Sequence, residues 1–285
     1  MVVFPNGKIN LGLSILRKRD DGFHDLETVF YPIIIQDVLE LIRSPRGTGI
    51  TFTSSGLAVE GPEENNLCIK AWQLLKNDFP GLPAVKTHLH KAIPMGAGLG
   101  GGSADAAFML RLLNEQFRLE LSPEQLLGYA ARLGSDCPFF LYNQPCFAEG
   151  RGELLEPVDL DLSAYHILLI NPGIHVNTGW AFSQLAPSLP AYRVRDVVQR
   201  PVSEWKNLLV NDFEIPVFTA HPEIGRIKTQ LYDTGALYAA MSGSGSTVFG
   251  IFENEPPVID TESSLLVKSL RLTIPPAGPL HPAGQ

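Results

Sequence analysis

Cysteine is scarce in this sequence. Cys68, Cys137 and Cys146 are its only three in 285 residues, and none stands in a C-x-x-C pair. That argues against a disulfide framework or a cysteine-built zinc site, and predicts three small buried hydrophobes in a reducing compartment. Basic charge is thin as well: 22 Lys and Arg against 30 Asp and Glu give a formal net charge of -8, and no run of Lys or Arg forms a phosphate-tracking stripe. Nucleic acid is therefore not an expected partner. Nowhere do about 18 apolar residues run together, so no membrane span is expected. The opening "MVVFPNGKINLGLSIL" is broken by Pro5, Asn6, Lys8 and Asn10 and lacks a small-residue cleavage pattern, so it does not read as a signal peptide. Internal repeats are absent. These features predict a cytoplasmic globular protein, monomer or homodimer, that works on small molecules.

What is present is ample apolar material, 45% of side chains, in a length that suits one large domain or two closely joined ones. "KINLGLSILRKR" and "ETVFYPIIIQDVLELI" read as extended, the core "YPIIIQDVLEL" as a buried strand, and "NNLCIKAWQLLKNDF" has helical spacing. In "SPEQLLGYAARLG", Ser122 is an N-cap signal, Pro123 suits the first helical position, Gln125 completes a capping box and Gly134 marks a stop. From about residue 157 the α+β texture repeats on a smaller scale, with strand "YHILLINPG", helix "EIGRIKTQLYDTG" and the glycine-rich "ALYAAMSGSGSTVFGIF". The expected division is 1–155, 156–256 and a Pro-rich tail over 257–285, which reads as a loosely ordered end.

The densest signal is "PMGAGLGGGSAD", Pro94 to Asp105, with five glycines between Gly96 and Gly102. The strand pattern "AVKTHLHKAI" precedes it and the helical pattern "SADAAFMLRLLNEQF" follows. Glycine at this density belongs where backbone bends sharply or meets a ligand closely, and exposed N–H groups at a helix start favour phosphate oxygens. Gly96-x-Gly98-x-x-Gly101 satisfies a dinucleotide fingerprint, but the acidic residue that should end a second strand some 20 positions on is missing. A Walker A loop fails because Gly102, not lysine, precedes Ser103. A flexible glycine hinge is the bland alternative. Ser103 could cap the helix or turn its hydroxyl to a phosphate-bound Mg2+. A branched side chain at Gly101 is expected to fill the space where phosphate approaches. His88 and His90 share a strand face without a third metal ligand.

"PMGAGLGGGSADAA" resembles the phosphate-binding motif of the GHMP kinase superfamily, and "NGKINLGLSI" and "LYAAMSGSGSTVFGIF" resemble its first and third motifs in the same order. Within it, "RKRDDGFHDLETVF", "LGSDCPFF" and "FAEGRGE" resemble the branch that phosphorylates the 2-hydroxyl of 4-diphosphocytidyl-2-C-methyl-D-erythritol in non-mevalonate isoprenoid synthesis. Mevalonate- or homoserine-type GHMP kinases are the same-class alternative; a dinucleotide oxidoreductase and a non-catalytic nucleotide-binding module are the others. Gly7 departs from the alanine usual in the first motif, and the Pro-rich end departs from the family's last strand.

The resemblance implies an α+β two-domain fold, with an N-terminal ribosomal-protein-S5-like, ATP-binding domain and a C-terminal ferredoxin-like one. It implies ATP as phosphoryl donor, with Mg2+ carried mainly on its phosphates, and a substrate bearing cytidine diphosphate. Carried over by position, Asp136 is the catalytic base and Lys8 its electrostatic partner. Pro94, Met95, Gly96, Ala97, Gly98, Leu99, Gly100, Gly101, Gly102, Ser103 and Ala104 cradle ATP, with Asn66 and Leu67 bordering adenine. Asn10, Phe23, His24, Thr178 and Phe182 are the substrate side, with Phe182 the ring opposite the Phe23–His24 pair. Read without the resemblance, Lys8 is a solvated strand lysine and His24 a turn histidine, while a turn cap is the alternative role for Asp136, a strand-edge amide for Asn10, a helix cap for Asn66 and core packing for Phe182.

Overall fold

The computed structural model describes residues 1–45, 47–59, 61–259 and 264–275. Twelve strands among them are Val2–Val3 (β1), Asn6–Lys18 (β2), His24–Gln36 (β3), Val38–Arg43 (β4), Ile50–Gly56 (β5), Val85–Lys91 (β6), Cys146–Glu149 (β7), Leu154–Pro157 (β8), His166–Asn171 (β9), Tyr238–Met241 (β10), Val248–Phe252 (β11) and Leu266–Arg271 (β12). The helices are Leu67–Asp78 (α1), Gly101–Phe117 (α2), Pro123–Leu133 (α3), Phe139–Tyr142 (α4), Thr178–Ser183 (α5), Val194–Val197 (α6), Glu214–Ala220 (α7) and Pro222–Asp233 (α8). The mixed content is the α+β class expected. No helix among the described residues is long and apolar enough to cross a membrane.

Three four-stranded sheets form, ordered β1-β4-β6-β5, β2-β3-β7-β8 and β10-β11-β9-β12. Only β5 and β6 pair in parallel, and α1 makes the crossover between them. The stripe Cys68, Ala71, Trp72 and Leu75 buries one face of α1 against α2, whose small residues Ala104, Ala106 and Ala107 allow close approach. All three cysteines are buried and free. The capping box at Ser122 and Gln125 is present, with Pro123 opening α3.

The two halves share a core. Ile9, Leu11 and Val29 of the central sheet pack with Leu169, Phe249, Val194 and Trp205 from the C-terminal half. Each such side chain, fully withdrawn from water, contributes about 1.5–3 kcal/mol. Gly12 makes this docking possible: at φ +66° it forms a bulge in β2, and a Cβ there would stand 2.6 Å from Leu209. Leu13, which follows Gly12, then hydrogen-bonds to the C-terminal half through both its backbone groups, Leu13 N–H to Val210 C=O at 2.8 Å and Asp212 N–H to Leu13 C=O at 2.9 Å.

Three expectations need correction. The run "YPIIIQDVLEL" is not one strand: it breaks at Asp37, whose buried carboxylate accepts the N–H groups of Ala92 and Ile93 at 2.6 and 2.9 Å. A boundary at 155 would cut β8, which pairs with β7 through Pro157. The supposed tail contains β12, antiparallel to β9 from Leu266↔Asn171 to Arg271↔His166. Residues 260–263 and 276–285 of that tail lie outside the described residues.

Candidate active site

Lys8 and Asn10 stand two apart on β2 and so face the same way. Lys8 Nζ donates to Asn10 Oδ1 at 2.6 Å, and Asn10 Nδ2 donates to Thr28 Oγ1 on β3 at 3.1 Å. Lys8 Nζ also lies 3.4 Å from Asp136 Oδ2 and 4.8 Å from the Phe30 ring centroid. Lys8 is 4% exposed and the Asp136 side chain 36% exposed, so the pair has one foot in the core and one in the cleft. Burial pushes the Lys8 ammonium below the ordinary lysine range, and the Asp136 carboxylate opposes that shift. Asp136 owes its position to the turn after α3, which Gly134 ends.

Opposite this pair runs the glycine loop. Gly96, Gly98 and Gly100 all have left-handed φ, at 62°, 77° and 71°. Gly100 is the N-cap of α2, with no side-chain cap, and the first helical bond is Ala104 N–H to Gly100 C=O at 2.9 Å. The N–H groups of Gly101, Gly102 and Ser103 therefore have no partner within the helix, and all three residues line the cleft. The loop is pinned from two sides. Lys8 N–H donates to Leu99 C=O at 2.9 Å, and Ser242 Oγ donates to Gly98 C=O at 2.8 Å while accepting Asn10 N–H at 3.2 Å. The turn between β10 and β11 thus packs on the glycine loop.

The cleft has a volume of about 800 Å³ and brings together Lys8, Asn10, Phe23, His24, Leu67, Asp136, Thr178, Phe182 and most of the glycine loop. Asn66 is elsewhere: its side chain accepts Cys68 N–H at 2.9 Å, capping α1, and it lines a neighbouring pocket of about 300 Å³ that shares Leu67, Met95 and Gly102 with the cleft. Leu99 and Ala104 are fully buried, so only their backbone can serve the cradle. Ser103 is the third residue of α2, not its cap. Gly101 is a packing glycine: an added Cβ would stand 2.8 Å from Lys91 Nζ and 2.9 Å from Ile93 Cγ2, on the core side and not in the ligand space. At Gly102 the nearest atom is Met95 Cε at 3.8 Å, so Gly102 is the one with open room.

Behind the loop lies a cluster not foreseen from the sequence. Lys91 is paired with Asp37, and with Asp105 Oδ2 at 2.9 Å, all of them buried; the other oxygen, Asp105 Oδ1, has no partner. Asp105 is therefore tied to the core through Lys91 while bordering the smaller pocket. Two carboxylates share one ammonium. Burial, with the Asp37 charge adding to it, pushes the Asp105 carboxyl up to about 7 against the pull of Lys91. Burial pulls Lys91 down, but the two acids outweigh it and hold the ammonium above its ordinary value.

At the far end the rings of His24 and Phe182 stack on each other, with centroids 5.0 Å apart and planes 19° apart, and Phe213 meets Phe182 edge-on at 4.8 Å. Phe182 was expected to face the Phe23–His24 pair across a gap; in this structure 5.0 Å leaves no room for a base between it and His24. Phe23 is half exposed, and burial together with the Lys18 charge lowers the pKa of His24. Thr178 opens α5, and its Oγ1 lies 3.0 Å from Ser244 Oγ. Thr28, Phe30, Ser242 and Ser244 were missed; the only sequence signal was the glycine-rich "SGSGS" around the last two.

Two family descriptions match this chain: GHMP kinases N terminal domain over residues 66–144 and GHMP kinases C terminal over 195–265. A 4-diphosphocytidyl-2-C-methyl-D-erythritol kinase of Bacteroides thetaiotaomicron is 52% identical over 263 residues, covering 92% of this chain and 96% of that one. A crystal structure of 4-(cytidine 5'-diphospho)-2C-methyl-D-erythritol kinase is similar with a TM-score of 0.76 and 32% identity, over 88% of this chain and 90% of that one. The mevalonate kinase of Methanococcus jannaschii shares the fold, with a TM-score of 0.66 at 12% identity over 88% and 90% of the two chains.

Proposed function

The chain belongs to the GHMP kinases and, within them, to the 4-diphosphocytidyl-2-C-methyl-D-erythritol kinases, and from that premise we propose how its residues divide the work. It is an ATP-dependent kinase that transfers a phosphoryl group to the 2-hydroxyl of 4-diphosphocytidyl-2-C-methyl-D-erythritol, in isoprenoid precursor synthesis. The observation that carries the assignment of roles is the Lys8–Asp136 pair, 3.4 Å apart, facing the unpartnered N–H groups of α2 across one cleft.

Phosphoryl transfer asks a protein for positioning and charge stabilisation more than for covalent help. In our reading the backbone of residues 94–104 cradles the ATP phosphates, aided by the positive end of α2. Leu67 and Asn66 border adenine at the smaller pocket. Asp136 accepts the proton of the attacking hydroxyl as its oxygen bonds to the γ-phosphorus and the bond to ADP breaks. Lys8, oriented by Asn10, pairs with the Asp136 carboxylate and offsets charge on the moving phosphoryl group. The stacked His24 and Phe182, with half-exposed Phe23, form the aromatic walls for cytosine, and Thr178 faces the substrate. The Ser103 hydroxyl and Asp136 carboxylate are oxygen donors on the cleft wall that would suit a hard cation, and Mg2+ held there with the ATP phosphates would neutralise their charge.

The same reading takes the boundary between the two units after Pro157, and takes the protein as a cytoplasmic monomer or homodimer acting on small molecules and not on nucleic acid. The test is ADP release with ATP and Mg2+, comparing the cytidine substrate, mevalonate, homoserine and no acceptor. Release with the cytidine compound alone is expected. Release with mevalonate or homoserine instead would refute the substrate.

A further inference from the structure

Two cations on the cleft wall have no part in the roles above. Arg151 and Lys18 both line the cleft, and Asp136 is the one carboxylate that does so among the described residues. Arg151 follows β7 in the turn Arg151-Gly152. At Gly152, φ +100°, an added Cβ would stand 3.7 Å from the Phe30 ring, which itself lies 4.8 Å from Lys8 Nζ. The Arg151 guanidinium carbon lies 4.8 Å from the Phe23 ring centroid. Arg151 thus lines the cleft next to a glycine packed on Phe30, the ring that Lys8 faces, and its guanidinium ends over Phe23. Lys18 is the cross-strand partner of His24 and flanks the same wall.

The charges around them are unevenly matched. Asp25 is held by Arg17 and Arg19, and Asp21 by Arg19. Lys18 makes no ion pair among the described residues. Among the described residues Arg151 makes one ion pair, with Glu153, Nε to Oε1 at 3.4 Å, longer than the 2.7–2.9 Å typical of a charge-assisted bond, and its charge also acts on Asp21. The other Glu153 oxygen accepts the backbone N–H of Arg151 at 2.6 Å, which fixes the turn, and among the described residues the two terminal guanidinium nitrogens make no hydrogen bond. A guanidinium fork suits two phosphate oxygens, and it stands where a molecule spanning from Asp136 to the aromatic wall carries its linker.

We propose that Arg151, with Lys18 adding charge beside His24, grips the diphosphate bridge of the cytidine substrate and so distinguishes a cytidine diphosphate from a bare cytidine. This inference rests on the cytidine reading above. Arg151 is a specificity determinant that positions the acceptor hydroxyl at Asp136 by holding the linker behind it.

The experiment titrates the full chain with CDP and with cytidine by calorimetry, in the wild type, Arg151→Gln, Arg151→Lys and Lys18→Gln, and follows ADP release in parallel. Wild type is expected to prefer CDP, and Arg151→Gln to lose about tenfold of that preference, a value discounted for partial exposure. Cytidine affinity and the KM for ATP should stay at wild-type values, the KM for the cytidine substrate should rise, and Arg151→Lys should recover part of the loss. Unchanged cytidine binding shows that the pocket of the variant is intact. Lys18→Gln should lose less than Arg151→Gln. An Arg151→Gln protein that keeps the wild-type preference for CDP overturns the inference while leaving the functional reading standing. A wild type that releases no ADP with the cytidine substrate overturns both.

Discussion

One substitution, glycine to alanine, is expected to have opposite consequences at two positions of the glycine loop. Gly98 sits at φ +77°, and a Cβ there would stand 1.9 Å from the carbonyl oxygen of Ser242. The left-handed conformation alone costs an alanine about 1–2 kcal/mol. The overlap is with backbone, which has no flexible end to swing aside, so the loop or the Ser242 turn must move. Either movement breaks the Ser242–Gly98 hydrogen bond and disturbs the Asn10 N–H that Ser242 accepts, and Asn10 is what holds Lys8. Gly98→Ala should therefore cost about 3 kcal/mol or more in stability and depress turnover. At Gly102 an added Cβ meets nothing nearer than 3.8 Å, and the position is helical. Alanine gains about 0.5–1 kcal/mol of helix propensity there, yet its methyl enters the space where the phosphates approach. Gly102→Ala should melt at or above the wild-type temperature while the KM for ATP rises about tenfold or more. Thermal unfolding and ADP release over a range of ATP concentrations separate the two effects. The reasoning fails if Gly98→Ala melts like wild type, or if Gly102→Ala keeps a wild-type KM for ATP.

Asp136→Asn should leave ATP binding nearly intact while turnover drops by about 10²-fold or more; undiminished turnover would remove Asp136 from the base role. Phe182→Ala should raise the KM for the cytidine substrate and spare the KM for ATP, because it strips one ring from the aromatic wall and touches nothing in the glycine loop. Asp105→Asn tests the buried cluster through pH. The folded protein holds a proton on Asp105 up to about pH 7 that the unfolded chain releases near its ordinary value of 3.8. That contribution to stability is complete below the unfolded value and is lost as pH rises through about 7. In urea unfolding the stability advantage of wild type over Asp105→Asn should shrink, or its deficit grow, between pH 5 and pH 8; a difference that does not change with pH would contradict the assignment.

The elements readable from the sequence are those whose partners lie close along the chain. The capping box of α3 joins residues three apart, the Gly134 stop acts on its own helix, and the strand-loop-helix around "PMGAGLGGGSAD" shows in its local periodicity. Lys8 and Asn10 could be paired in advance because strand geometry puts positions two apart on one face. The misreadings share the opposite property. Asp37 ends a strand inside an apolar run because its partners, Lys91, Ala92 and Ile93, are more than fifty positions away. Proline density around 257–285 outweighed the short run "LVKSLR", whose strand identity depends on the free edge of β9. Gly101 looked like Gly102 in the string, and only the placement of Lys91 and Ile93 against it separates a packing glycine from a ligand-facing one. His24 could be chosen from its motif, but its stacking on Phe182 depends on two segments from different halves of the chain.

The same contrast explains why three short motifs make one site. Asn10 and Ser242 are 232 positions apart, yet the Asn10 N–H meets the Ser242 hydroxyl, and that hydroxyl in turn holds Gly98. First, second and third motifs are therefore joined through one serine side chain. A lesion in the β10–β11 turn should be felt at the Lys8–Asp136 pair without any direct contact to it. Ser242→Ala makes that concrete. It removes a hydroxyl with 0% exposure and leaves the Asn10 N–H and the Gly98 carbonyl without their shared partner, so a loss of about 1–3 kcal/mol in stability is expected. Because Asn10 orients Lys8, kcat should fall alongside. If Ser242→Ala loses stability and keeps its full kcat, the three motifs are joined in the fold but not in the chemistry.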